Sequence, residues 1–448
     1  MSRPAPRSFA IKSYGCQMNA YDGQRMSELL EAQGLVATAA DQEPDLVVLN
    51  TCHIRERAAE KVYSDVGRIV KRAQGRKPLI AVAGCVAQAE GEEIGARAPA
   101  VDIVVGPQSY HRLPDLISRA AAGGRAIDTD MPVDSKFGLL PARRQQAAST
   151  FLTVQEGCDK FCTYCVVPYT RGAEISRPWA AIVDEAKALV DAGASEITLL
   201  GQNVNAWSGV DEKGGEHGLD GLIRALDRLP ELKRIRYTTS HPTDMTDGLI
   251  AAHGDVEKLM PFLHLPVQSG SDAILKAMNR SHDVASYERI IERVRSVRPD
   301  IAISGDFIVG FPGETDADFE ATLDLIARVN YAQAFSFKYS PRPGTPAATM
   351  EGQIAMPMMD ERLQRLQALL NRQQQSFNDA TLGLTTTILI ERDGKQPGQR
   401  IGKSPWLQSV VVRTEALPGT LLDVRIISAG PNSLGGEPVN NIERRHVA

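Results

Sequence analysis

Short apolar runs alternate with helix-length segments from the start of the chain, and three of these runs end at a cysteine. Phe9, Ile11 and Tyr14 lead to Gly15-Cys16. Leu46-Val47-Val48-Leu49 leads to Asn50-Thr51-Cys52, and Leu79 to Ala83 leads to Gly84-Cys85. Apolar runs of this length, separated by helices, predict a doubly wound parallel sheet in an α/β fold. Asp22 fits the N-cap of a helix with the apolar face Met26, Leu29 and Leu30, stopped by Gly34, and a charged helix is expected from about Arg55 to Arg72. Ligands of open α/β sheets bind beyond the carboxyl ends of the strands. Cysteines about 35 residues apart are thereby brought to one edge, where three thiolates suit a soft metal or an iron–sulfur cluster. The competing reading is three unrelated buried cysteines acting as small hydrophobes.

The chain has 448 residues, enough for two to four domains of about 150 residues. With 43% hydrophobic and 23% charged residues it has globular composition, which excludes a disordered or coiled-coil chain. The formal charge of −5 means that RNA contacts must come from local patches and not from the field of the whole chain. No run of 18 apolar residues is present, and Met1 to Ala10 carries two arginines and two prolines without an apolar stretch. The expectation is a cytoplasmic protein without a membrane span, in a compartment where structural disulfides are uncommon.

Residues 1–127 form the first expected domain, and 128–149, with Pro132, Pro141 and paired Arg and Gln, a linker. From 150 to 376 strands and helices alternate again. Strands are expected at Leu152 to Gln155, Glu196 to Leu200, Ile235 to Thr238, Phe262 to Leu265, Ile303 to Val309 and Ala334 to Tyr339. Six βα units make a partial (β/α)6 barrel, whose functional loops follow the strands. Residues 377–441 carry the short runs Thr385 to Ile390, Ser409 to Val412 and Leu421 to Ile427, a small β-barrel. From Phe377 on there are eight Lys/Arg and seven Asp/Glu, so this module is not overtly basic.

The first barrel strand leads into Cys158-Asp159-Lys160-Phe161-Cys162-Thr163-Tyr164-Cys165, a C-x3-C-x2-C loop. Three cysteines on one loop can hold three corners of a 4Fe–4S cube and leave one iron open to a small molecule. A zinc site would need further ligands, and no histidine or other cysteine is placed nearby in sequence. Tyr164 can screen such a cluster from water.

This loop resembles that of the radical S-adenosylmethionine (SAM) enzymes. The resemblance implies that SAM binds the open iron of the Cys158, Cys162 and Cys165 cluster and is cleaved to a 5′-deoxyadenosyl radical. Ser13 to Asn19, Asn50-Thr51-Cys52 with Ile54-Arg55, and Gly84 to Gln88 resemble the N-terminal domain of the methylthiotransferases. That family implies a second 4Fe–4S cluster on Cys16, Cys52 and Cys85, which handles the inserted sulfur. The C-terminal module resembles a TRAM domain, an RNA-binding barrel.

Cys165 to Gly172 with Glu174 and Ser176-Arg177, His264 to Ser271, and Tyr339 to Pro346 are similar to the bacterial tRNA branch acting on N6-isopentenyladenosine. The implied reaction is C2 methylthiolation of that base at tRNA position 37, beside the anticodon, with two SAM molecules. The implied partners are an anticodon stem-loop, a low-potential electron donor such as flavodoxin or ferredoxin, and a sulfur donor, with the enzyme a monomer. The alternative substrates are threonylcarbamoyl-adenosine in tRNA or a ribosomal protein, and the remote alternative is a non-catalytic iron–sulfur RNA-binding protein. Gln202 and Asp306, read at strand ends, are candidates with Tyr164 for SAM contact; turn and capping roles fit Gln202 and Asp306 equally. Arg171 and Arg177 fit phosphate or the SAM carboxylate, and equally a pairing with Glu174. His53 and His241 read as structural, and Pro341-Arg342-Pro343 as a rigid turn.

Overall fold

The computed structural model describes residues 3–38, 42–53, 56–73, 77–132, 136–143 and 147–439. Ile54 and Arg55 lie outside the described residues. The chain folds as two compact units. One comprises Met1–Gln145 with Glu156–Phe161 and Cys165–Ile175. The other comprises Gln146–Gln155, Cys162–Tyr164 and Ser176–Ala448.

The first unit is built on a six-stranded, all-parallel sheet of β1 (Ser8–Tyr14), β2 (Val36–Ala37), β3 (Leu46–Thr51), β4 (Leu79–Ala83), β5 (Ile103–Val105) and β6 (Ala126–Asp128). Their order is β2-β1-β3-β4-β5-β6, a doubly wound arrangement whose direction reverses between β1 and β3. β3 and β4 are buried at every position because both sheet faces are covered. One face packs Leu46, Val48, Ala81 and Ile103 with Met26 and Leu30; the other packs Val47, Leu49, Ile80 and Val82 with Val62 and Val66.

In this unit Asp22 is not a helix cap. The helix runs Gln17–Ala32 with Cys16 at its N-cap, so Asp22 falls in its second turn and is buried. Within the segment expected to be a linker, the described residues 136–143 are packed. Lys136–Leu139 forms a 3-10 turn with the Lys136 side chain buried, Arg143 pairs with Glu28 at 3.1 Å, and Arg25 donates to the Pro141 carbonyl at 2.6 Å.

The second unit contains the six barrel strands, all parallel, as Ser149–Thr153, Glu196–Leu200 and Arg234–Thr238 in one sheet and Phe262–His264, Ala302–Val309 and Gln333–Lys338 in another. An isolated bridge between Ile235 and Leu259 adjoins the two sheets. Helices between successive strands cover them, including Asp247–Asp255, which the apolar pattern did not reveal.

The C-terminal module is a closed five-stranded barrel around Ile388, Ile390, Val410, Val412, Val424, Ile426 and Leu434. Besides the three expected strands it contains Gln399–Lys403 and Leu434–Pro438, both rich in glycine or polar residues. Two arginines at the start of a core strand fasten it. Arg234 donates to the carbonyls of Lys403 (2.8 Å) and Thr387 (2.6 Å), and Arg236 to those of Ser404 and Pro405 while pairing with Glu196 at 2.9 Å. Gly419 accepts from Ser195, and Trp406 donates to Asp300. All these contacts lie at the N-terminal ends of the core strands, so the small barrel occupies the edge opposite the functional loops.

Candidate active site

Residue pairing across the first sheet aligns Tyr14 with Thr51 and Asn50 with Ala83. Cys16, Cys52 and Cys85 therefore leave three neighbouring strands at one edge, beside the reversal point between β1 and β3. Gly15 (φ +104°) and Gly84 (φ +86°) make the turns that aim them. A Cβ at Gly15 would collide with the Cys52 side chain, and one at Gly84 with Asn50 and the Thr51 carbonyl. A hydrogen bond from Cys52 holds the Cys16 thiol well below the usual thiol range despite burial, with help from the nearby Arg171. Burial pushes Cys85 up while Arg171 opposes it. The three thiols thus form one cluster with a cation beside it. Cys16 Sγ lies 3.3 Å from Asn19 Oδ1, and Asn19 is tied to Asn50, whose amide donates to the Asn19 carbonyl at 2.7 Å.

Arg171 does not pair with Glu174. Its guanidinium bridges Glu156 and Asp22, both at 2.6 Å, and touches Asn19 Oδ1 at 3.3 Å. Lys136 reaches the same two carboxylates, at 2.7 Å and 3.7 Å. Arg177 is also engaged elsewhere, with Glu185 (2.7 Å) and the Thr153 carbonyl (2.6 Å). Neither arginine is an exposed anion receptor.

The C-x3-C-x2-C loop is pinned residue by residue. Gly157 (φ +77°) precedes Cys158, whose N–H donates to the Gly172 carbonyl at 3.3 Å; a Cβ at Gly157 would run into the Ala173 carbonyl. The Val167 N–H lies 3.5 Å from Cys165 Sγ. Cys162 is buried, and Arg280 Nη1 stands 3.8 Å from its Sγ. Thr163 is clamped by the carbonyls of Met278 and Ala277 and by the N–H of Ala347. Tyr164 packs its ring against the cluster of Ile274, Met278, Phe311, Tyr339 and Ala347.

Gln202 does follow a strand, and its N–H is held by Gln155 Oε1 at 2.8 Å. Asp306 lies inside the Ala302–Val309 strand, opposite Phe335, and not at its end. The neighbouring strand stops at His264, so Asp306 nevertheless stands beyond that strand, with its carboxylate 3.7 Å from His264 Nε2. His241 caps a 3-10 turn by accepting from the Thr243 N–H. Pro341-Arg342-Pro343 leads into a turn closed by Thr345 on the Arg342 carbonyl.

Residues 152–326 match the radical SAM superfamily, and residues 8–106 match the uncharacterized protein family UPF0004. The chain is 68% identical over 435 residues to the tRNA-2-methylthio-N(6)-dimethylallyladenosine synthase of Novosphingobium aromaticivorans, covering 97% of this chain and 98% of that one. It is 69% identical to the protein of the same name from Sphingopyxis alaskensis, over 98% and 99% of the two chains. The chain belongs to the tRNA-2-methylthio-N(6)-dimethylallyladenosine synthase family. Among solved structures, the radical SAM methyltransferase TsrM from Kitasatospora setae aligns with a TM-score of 0.55 at 14% identity, over 76% of this chain and 77% of that one. At that identity the likeness is one of fold.

The cofactors of this radical SAM family are two 4Fe–4S clusters and SAM. The donor sets fit them. All six cysteines are unbridged. Among the described residues no three His, Cys, Asp or Glu side chains close on a single metal ion. A four-iron cube puts each cysteine on a different iron, so its ligands need not converge on one point. The sequence singles out the six cysteines as candidate ligands but not the charges around them: Asp22 is not a cap, and Lys136, Glu156 and Arg280 carry no motif signal.

Proposed function

We propose that this chain converts N6-isopentenyladenosine (dimethylallyladenosine) at position 37 of tRNA to its 2-methylthio derivative. The carrying observation is the meeting of Cys16, Cys52 and Cys85 at one sheet edge in a chain that also bears the C-x3-C-x2-C loop, together with relatives more than 60% identical along nearly the whole length. We assign the auxiliary cluster to Cys16, Cys52 and Cys85 in a domain of residues 1–127. The radical cluster goes to Cys158, Cys162 and Cys165 in the core of residues 150–376. Residues 377–441 form the TRAM-like RNA-binding module.

When bound, the clusters and two SAM molecules would supply the electron, the radical, the sulfur and the methyl group that replacement of an unactivated C2–H bond by methylthio requires. The protein's own residues hold and orient these groups. Gly15, Gly84 and Gly157 turn the cysteines outward from their strands. Arg280 donates toward Cys162, and Tyr164, packed against the apolar cluster that includes Phe311 and Tyr339, excludes water from one side of the loop. Gln202 and Asp306 are the proposed polar contacts for SAM. The base must leave its stack to be reached, which costs only a few kcal/mol in a single-stranded loop.

The TRAM-like module grips phosphates away from the modified base, since it is fastened to the opposite strand ends. We also infer a monomeric, cytoplasmic enzyme using a flavodoxin- or ferredoxin-like reductant and a separate sulfur donor. No helix among the described residues is long and apolar enough to cross a membrane.

The test is nucleoside mass spectrometry of tRNA from a strain lacking its own methylthiotransferase and expressing this chain. Appearance of the 2-methylthio-isopentenyl nucleoside supports the proposal. Unchanged isopentenyladenosine, with methylthiolation found on threonylcarbamoyl-adenosine or a ribosomal protein, would redirect it.

A further inference from the structure

Four charged side chains, Asp22, Lys136, Glu156 and Arg171, are buried together, each at most 3% exposed, next to the first cysteine triad. Burying charges gives no net stability unless the pairing is very good, and well-packed apolar side chains do as well or better. The arrangement therefore calls for another reason. Its geometry supplies one. Nη1 of Arg171 is fixed on Glu156 and Nη2 on Asp22, both at 2.6 Å. Nη2 also touches Asn19 Oδ1 at 3.3 Å, and the same oxygen lies 3.3 Å from Cys16 Sγ. The Arg171 charge acts on the Cys16 and Cys85 thiols, opposing the effect of burial at both. Arg171 is thus held by two carboxylates so that its positive charge faces two of the three thiols.

We propose that Arg171 is a positioning residue of the auxiliary cluster, setting the reduction potential of the group held by Cys16, Cys52 and Cys85. The proposal rests on the assignment of a 4Fe–4S cluster to that triad. Iron–sulfur potentials follow net charge and hydrogen bonds to the sulfurs. A fixed cation favours the reduced cluster, which carries one more negative charge, and so raises its potential. Asp22 acts on the same thiols with the opposite sign. Removing the two partners of one salt bridge must then move the potential in opposite directions. A merely structural role would give no such pair of signs.

The test uses the full chain with Cys158, Cys162 and Cys165 replaced by alanine, reconstituted with iron and sulfide, so that only the auxiliary cluster reports. Its reduction is followed by electron paramagnetic resonance during a redox titration, for this parent and for Arg171→Gln, Arg171→Lys and Asp22→Asn added to it. Each is expected to hold about four irons. At a fixed potential the ratio of reduced to oxidised cluster should fall about tenfold in Arg171→Gln, equivalent to 59 mV for a one-electron couple. It should fall less in Arg171→Lys, and it should rise in Asp22→Asn. If Arg171→Gln loses iron, the opposite shifts of Arg171→Lys and Asp22→Asn carry the same test. Midpoints equal to the parent's, or moving in one direction, overturn the role of Arg171. A parent that binds no iron overturns the cluster assignment itself, and that role with it.

Discussion

The guanidinium of Arg280 reaches Cys162 Sγ at 3.8 Å through Nη1 and the Pro266 carbonyl at 2.6 Å through Nη2. The cation is thereby anchored on a loop after a barrel strand and pointed at a cysteine of the radical SAM motif. A hydrogen bond to a charged group contributes about 1.5–3 kcal/mol. Arg280→Ala should keep the iron of both clusters yet slow formation of 5′-deoxyadenosine from SAM about tenfold, since 1.4 kcal/mol is a factor of ten. Arg280→Lys should recover part of that rate. Rates equal to wild type would leave Arg280 as a tether of the Pro266 loop only.

Gly15, Gly84 and Gly157 precede a cysteine at positive φ with no room for a side chain. An L-residue in that conformation costs about 1–2 kcal/mol before any collision. Gly15→Ala and Gly84→Ala should lower iron at the auxiliary site selectively, and Gly157→Ala at the radical site. Iron analysis combined with a thermal melt separates this from general unfolding. Loss of both clusters together in any one variant would contradict it.

His253 is buried, and burial first, then Arg298, lowers its pKa to about 3, so it stays neutral in the fold with Nε2 on the Tyr237 hydroxyl at 2.6 Å. Unfolded, it titrates near 6.5. Between those values the unfolded chain binds the additional proton, so stability is complete above pH 6.5 and is lost as pH falls toward 3. From pH 7 to 5 the loss should be about 2 kcal/mol from this residue. Denaturant melts of the apoprotein should show that slope in wild type and its disappearance in His253→Gln. An unchanged slope would assign acid sensitivity to other groups.

The sheet edge was legible because apolar runs terminate in cysteines, and parallel packing makes every strand end a ligand edge. Strands such as Gln399–Lys403 were not, since their register comes from barrel closure and not from their own alternation. Asp22 looked like a cap locally, but its role is set by Arg171, 149 residues away. Asp306 falls inside the strand that the sequence itself outlines from Ile303 to Val309, and it clears only the shorter neighbouring strand, whose end at His264 no local pattern around Asp306 carries. Charged partners distant in sequence leave no spacing signal, which is why the network beside the triad emerged only in three dimensions.

The central claim is that two separate cysteine triads hold two clusters with different tasks. Its most direct test is iron content and SAM cleavage in the anaerobically reconstituted chain and in Cys16→Ala/Cys52→Ala/Cys85→Ala. About eight irons are expected in the first and half of that in the second. The variant should still cleave SAM while transferring no methylthio group to tRNA. A variant that keeps all its iron, or loses SAM cleavage along with half of it, would contradict the division.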